Sequence, residues 1–145
     1  MKLQAYVAVF LLLKKNDEFL LLLRQNTVRD GGNWGLVSGH VEKDEGIIDA
    51  LIRETKEEAD IHVNCDDLKI VNVITHNKTD RPYVNLFFAC EKYSGEICNA
   101  EPHKCCGMQF FKETELPPNI VGVVKLAIEN IRNGIFFSEL ELSRI

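Results

Sequence analysis

The chain has 145 residues, of which 46% are hydrophobic and 27% charged, and its net charge is −5. A chain of that size and balance builds one domain around its own core and is not disordered. The acidic sign argues against a nucleic-acid polymer as partner, and it makes a phosphate substrate hard to hold without an intervening cation.

Residues 5–13, AYVAVFLLL, are apolar but too few to span a bilayer, and no small-residue cleavage site follows them. We therefore read residues 3–13 as a strand buried on both faces, and expect a cytoplasmic protein with no membrane contact. Residues 14–17 (KKND) are a turn and residues 18–24 a second strand, which makes a hairpin. Residues 25–35 form a polar loop with three glycines, and residues 34–38 a short strand running into Gly39. Residues 46–59 give the clearest helix, with Ile48, Leu51, Ile52, Thr55 and Ala59 at core-facing spacing. Beyond it, IHV (61–63), LKIVNVITHN (68–77) and YVNLFFACE (83–91) read as strands, with TDRP (79–82) turning between the last two. Residues 93–104 are a loop, 107–111 a strand, and 120–132 a second helix stopped by Gly134. Its apolar side carries Ile120, Val123, Val124, Ala127, Ile128 and Ile131. The order strands, helix, strands, helix points to an α+β fold, a mixed sheet between helices in an α/β/α sandwich, as one domain over residues 1–145.

The five cysteines are odd in number and contain no CxxC pair. A disulfide framework and a zinc site are both poorly supported; a reducing compartment fits better, with most of the five read as buried, inert thiols.

The first helix holds the chemistry. At about 100° per residue, Glu54, Glu57 and Glu58 fall within an arc of about 100° and converge beside it. Their repulsion disfavours the helix by a few tenths of a kcal/mol per pair. Two readings compete for such a cluster: a solvated charged face, or a site for a hard divalent cation such as Mg²⁺, which binds carboxylates, bridges to phosphates and offsets the acidic charge.

The spacing decides between them. Gly39, five residues, Glu45, seven residues, Arg53-Glu54, then Glu57-Glu58 and Ile61 resembles the Nudix box, G-x5-E-x7-R-E-U-x-E-E-x-G-U, with every charged position matched. Thr55 stands where an aliphatic residue is usual, Asp60 replaces the second glycine, and Val37-Ser38 replace the Pro-Gly of a common W-x-L-P-G-G segment. The resemblance covers nearly the whole chain and implies a mixed, curved sheet between helices.

It also implies an activity: hydrolysis of a nucleoside diphosphate linked to a further group. Glu54, Glu57 and Glu58 would hold Mg²⁺, with Mn²⁺ able to substitute, and the Gly39 carbonyl would join them. Arg53 and Glu45 would form an orienting ion pair, whose plainer reading is a surface salt bridge worth under about 1 kcal/mol. Glu54 is the candidate base. Glu101 is the candidate ligand from outside the box, with Glu91 as the alternative; for Glu101 a solvated loop position is equally plain.

The segments WGLVSGHVE and EPHKC look most like MutT-type enzymes, which convert a nucleoside triphosphate to monophosphate and pyrophosphate; 8-oxo-dGTP is the kind of substrate implied. Arg24, Trp34 and His40 are candidate substrate contacts, although Trp34, Phe87 and Phe88 fit a core equally well. For His40 an incidental loop position is at least as plain. His62, His76 and His103 share no ligand spacing. A nucleotide-conjugate hydrolase (ADP-ribose, a nucleotide sugar or a dinucleoside polyphosphate) and a non-catalytic nucleotide-sensing module are the alternatives, and a homodimer is compatible with either.

Overall fold

The computed structural model describes residues 1–26, 31–77 and 79–140; residues 27–30 of the expected polar loop lie outside it. Among the described residues eight strands and two α-helices follow one another as β1 (Tyr6–Lys15), β2 (Glu18–Arg24), β3 (Trp34–Gly35), β4 (Val37–His40), α1 (Ile47–Ala59), β5 (Lys69–His76), β6 (Tyr83–Cys90), β7 (Cys105–Lys112), α2 (Gly122–Arg132) and β8 (Phe137–Glu139).

Strand β1 organises the sheet. It runs parallel to β6 from Tyr6↔Tyr83 to Leu13↔Cys90 and antiparallel to β4 from Ala8↔His40 to Leu11↔Val37. Its hairpin partner β2 pairs with it only at Lys14 and Lys15, then departs to join β3 and β7. The sheet is mixed, since β5 pairs β6 antiparallel and β8 parallel.

The period-2 alternation of β1 divides the core. Val9, Leu11 and Leu13 pack with Ala50, Leu51 and Ala59 of α1. Ala8, Phe10 and Leu12 pack with Val124, Ala127 and Ile128 of α2. Residues 8–13 are buried throughout because a helix covers each face. Full burial of each such leucine stabilises the fold by about 1.5–3 kcal/mol. This is the expected α/β/α sandwich.

Several boundaries differ from expectation, each for a physical reason. The expected strand at 34–38 is two pieces in different pairings, split at the buried Leu36, where the chain passes from β2 to β1. The expected strand at 61–63 reduces to a single bridge, His62↔Ser94. Helix α2 begins two residues late because the backbone at Asn119 and Val121 hydrogen-bonds Trp34 instead. Ile131 is exposed, and Asn130 takes the buried place beside it. Of the five cysteines expected to be mostly buried, only Cys90 and Cys105 are, each within a strand of the sheet; Cys65, Cys98 and Cys106 are exposed. Strand β8 was not foreseen; it lies past Gly134, and its first residue, Phe137, is half exposed.

Candidate functional site

Helix α1 presents Leu51, Thr55 and Ala59 to the core, and Thr55 returns its hydroxyl to the Leu51 carbonyl at 2.7 Å. The aliphatic position that Thr55 occupies is thus filled by its methyl, with the polar atom satisfied inside the helix. Asp60 ends the helix in the left-handed conformation, φ 56°, that a glycine would ordinarily supply. Its carboxylate meets Lys56 Nζ at 2.7 Å. The departure at Asp60 therefore keeps the turn.

Arg53 is the hub of the exposed side of α1. Its Nε donates to Glu45 Oε2 at 2.7 Å and its Nη2 to Glu45 Oε1 at 3.0 Å, a two-pronged grip. Nη1 donates to Glu54 Oε1 at 2.9 Å and reaches Glu57 Oε2 at 3.3 Å. Nη2 also meets the His40 carbonyl at 3.2 Å. One guanidinium thus ties three box glutamates and the end of β4 together. The Arg53 grip, aided by the Glu42 N–H, holds the Glu45 carboxyl down to about 2.

Glu54 and Glu58 lie on the inner side. Gly39 of β4 sits against Glu54 so closely that a Cβ there would overlap the Glu54 carboxyl group. The first glycine of the box therefore leaves the Glu54 carboxyl its place, and any larger residue there would push that side chain aside. Glu58 is 6% exposed. Its Oε2 accepts the Ser38 N–H at 3.3 Å, and Arg24 Nη1 stands 3.6 Å from Oε1. Burial raises the Glu54 carboxyl against the pull of Arg53, and burial raises Glu58 well above the carboxylate range, with Arg24 opposing and the adjacent Glu54 adding to the rise. Glu57 is half exposed at the rim.

Two observations bear on a divalent cation. Glu58 Oε1 is buried with no hydrogen-bond partner, a costly state for an oxygen of a carboxylate unless something meets it. The Gly39 cradle keeps a second carboxyl, that of Glu54, beside it without a side chain between. Among the described residues no group of three or more His, Cys, Asp or Glu side chains is placed to hold a metal ion, and Glu57 is turned to Arg53; the corner formed by Glu54 and Glu58, with its unmet oxygen, has the donor chemistry that suits a hard cation keeping water ligands.

The remaining candidates divide. Glu101 is brought toward the end of α1: the Ala100 N–H donates to the Glu58 carbonyl at 3.2 Å and the Cys98 N–H to the Ala59 carbonyl at 3.1 Å. The Glu101 carboxylate itself faces Lys104 at 3.9 Å. Glu91 is exposed at the far end of β6. Arg24 points inward, with Nη2 on the Leu36 carbonyl at 2.7 Å and Ser38 Oγ at 2.6 Å. Trp34 packs edge-on against Phe111, centroids 4.9 Å apart, and Phe87 and Phe88 are core. His62 bonds Asn64, and the His103 carbonyl accepts from Asn26. His40 stacks on Tyr6 at 5.2 Å and meets the Tyr83 hydroxyl at 3.2 Å, while Arg81 covers the Tyr6 ring at 4.8 Å. Sequence reasoning missed Tyr6, Tyr83, Arg81 and Ser38. Once β1 is paired to β4 and β6, the register Tyr6↔Tyr83 and Ala8↔His40 would have found the first two.

Comparison with known proteins gives the same picture. The NUDIX domain family matches residues 2–129. The chain is 41% identical over 132 residues to the human 8-oxo-dGDP phosphatase NUDT18 and spans 39% of that protein's length. Among solved structures it resembles a MutT NUDIX hydrolase from Burkholderia pseudomallei (TM-score 0.79, 24% identity, covering 87% of this chain and 97% of that one). It also resembles a MutT protein from Methanosarcina mazei Go1 (TM-score 0.78, 18% identity, covering 92% and 97%). Among the described residues no helix is long and apolar enough to cross a membrane.

Proposed function

The chain belongs to the NUDIX family, and on that premise we propose that it is a divalent-cation-dependent phosphoanhydride hydrolase acting on a nucleoside diphosphate linked to a further group. The leading substrate is an oxidised guanine nucleotide such as 8-oxo-dGTP, converted to the monophosphate and pyrophosphate. The observation that carries this reading is the buried Glu58 carboxyl with an unmet oxygen, set beside Glu54 and Gly39 and joined through Arg53 to Glu57.

Glu54, Glu57, Glu58 and the Gly39 carbonyl would hold Mg²⁺ or Mn²⁺, with Glu101 as the ligand from beyond the helix. When bound, such a cation neutralises phosphate charge and acidifies the attacking water. The protein's own groups do the rest. Glu54 accepts the water proton as the new P–O bond forms and the anhydride P–O bond breaks, with the electron pair leaving on the departing phosphate. A carboxyl raised by burial is the better base for that step. Arg53 keeps Glu54 and Glu57 in place and fixes the loop through Glu45 and the His40 carbonyl. His40, with Tyr6 and Tyr83 beside it, would offer the base an aromatic ledge, and Trp34 a second contact.

The 41%-identical relative bears the name of an 8-oxo-dGDP phosphatase, which favours a second reading in which the nucleoside diphosphate is cleaved and phosphate leaves. A hydrolysis panel of dGTP, 8-oxo-dGTP, 8-oxo-dGDP, ADP-ribose and a dinucleoside polyphosphate, with Mg²⁺ and product identification, tests both. Pyrophosphate from 8-oxo-dGTP supports the first and phosphate from 8-oxo-dGDP the second. Turnover of ADP-ribose or the dinucleotide above every guanine nucleotide overturns both, and tight binding without hydrolysis makes the protein a sensor.

A further inference from the structure

Ser38 stands where the resembling segment carries glycine, and it sits between Arg24 and Glu58. Its hydroxyl accepts Arg24 Nη2 at 2.6 Å, and its N–H donates to Glu58 Oε2 at 3.3 Å. The Leu36 carbonyl takes the same Arg24 nitrogen at 2.7 Å. The guanidinium is therefore fixed on the β4 side. Its other nitrogen, Nη1, stops 3.6 Å from Glu58 Oε1, beyond the hydrogen-bond range. That oxygen is left buried with no hydrogen-bond donor on it, and the Glu54 carboxyl stands within hydrogen-bonding reach of the Glu58 carboxyl.

A free arginine this near a buried carboxylate would close on it in a bidentate, charge-assisted pair. Such a pair would use the lone pairs that a cation needs. We propose that Ser38 and the Leu36 carbonyl tether Arg24 at a distance, so that Glu58 keeps one oxygen available to a divalent cation. Arg24 is then a positioning residue and not a phosphate contact. This rests on the reading of Glu58 as a cation ligand, and it adds a reason, particular to this chain, why that ligand stays open.

The test is Mn²⁺ affinity in the absence of nucleotide, read by electron paramagnetic resonance of free Mn²⁺. Ser38→Ala releases Arg24 and is expected to weaken Mn²⁺ binding roughly tenfold, as loss of a residue supporting a ligand commonly does. Ser38→Thr keeps the hydroxyl and is expected to bind as the wild type. In an Arg24→Met background, Ser38→Ala should change affinity by less than about twofold, because the competitor is gone. At saturating Mn²⁺ the KM for dGTP should be the same in wild type and Ser38→Ala. Unchanged Mn²⁺ affinity in Ser38→Ala, an equal loss in both backgrounds, or a raised KM at saturating Mn²⁺ overturns the tether. If Arg24→Met does not fold, the Ala and Thr variants at position 38 alone decide. A wild type that binds no Mn²⁺ overturns the functional reading together with the tether. A wild type that binds, with Ser38→Ala equal to it, overturns the tether alone.

Discussion

Helices α1 and α2 cover opposite faces of one sheet, and each buries a polar side chain, but they treat it differently. Asn130 of α2 is 4% exposed, and its amide donates to Asn72 Oδ1 at 3.3 Å and Ser138 Oγ at 3.0 Å. Asn72 in turn donates to the carbonyls of Ile135 and Phe136 at 2.9 Å. This network closes on itself and ties β5, α2 and β8 together. Glu58 of α1 is buried almost as deeply, yet one oxygen is left unmet and its carboxyl is pushed well up by burial. Polar groups buried to hold a fold together are satisfied internally. The unmet oxygen of Glu58 is what the proposed function would use.

That contrast can be broken by substitution, beginning at the exposed rim. Glu57→Gln should lose roughly 10²-fold or more in hydrolysis rate while its far-ultraviolet circular dichroism stays that of the wild type, since Glu57 makes no core contact. Full activity would remove Glu57 from the chemistry. Gly39→Ala, which drives a methyl into the Glu54 carboxyl, should cost about 10- to 10²-fold in kcat, because small displacements at a reacting group are costly. Asn130→Ala should do the reverse of Glu57→Gln: stability falls by about 1–3 kcal/mol in urea unfolding, from partners left bare, and kcat is unchanged.

Glu58→Gln sharpens the comparison further. Removing a charge that burial disfavours should raise the metal-free unfolding midpoint at pH 7 by about 3 °C, near 1 kcal/mol, while activity is lost. A lower midpoint would mean that Glu58 supports the fold as Asn130 does. Asp60→Gly should matter least. Relief of a left-handed φ and loss of an exposed pair with Lys56 nearly cancel, to within about 1 kcal/mol by thermal melt.

Much of the fold was legible because burial imposes a period. The β1 run, the 3.6 spacing of α1 and the limits of β2, Glu18 to Arg24, all follow from apolar patterning. The three glutamates of α1 were legible from spacing along one helix and the Arg53–Glu45 pair from the resemblance, but the reach of Arg53 to Glu54 and Glu57 was not. What was not legible depended on pairing across distance. Arg24 faces inward only because β3 and β4 bring Leu36 and Ser38 beside it. His40 meets Tyr6 and Tyr83 only because β1 lies between β4 and β6. The inward turn of Ile61 to Val63 as a single bridge likewise depends on Ser94, thirty-odd positions away. Local pattern carries no information about which strand will be the neighbour.

The pairing of β1 with β6 also governs how the molecule is made. Residues 6–13 find their parallel partners only at residues 83–90, so β1 waits for a strand 77 positions further along. Until then its leucines are bare and α1 has only part of its seat. Long-range parallel pairing of this kind forms slowly and exposes apolar edges meanwhile. The corner that holds Glu54 and Glu58 therefore gains its full seat only once β6 is in place, although its own residues precede β6 in the chain.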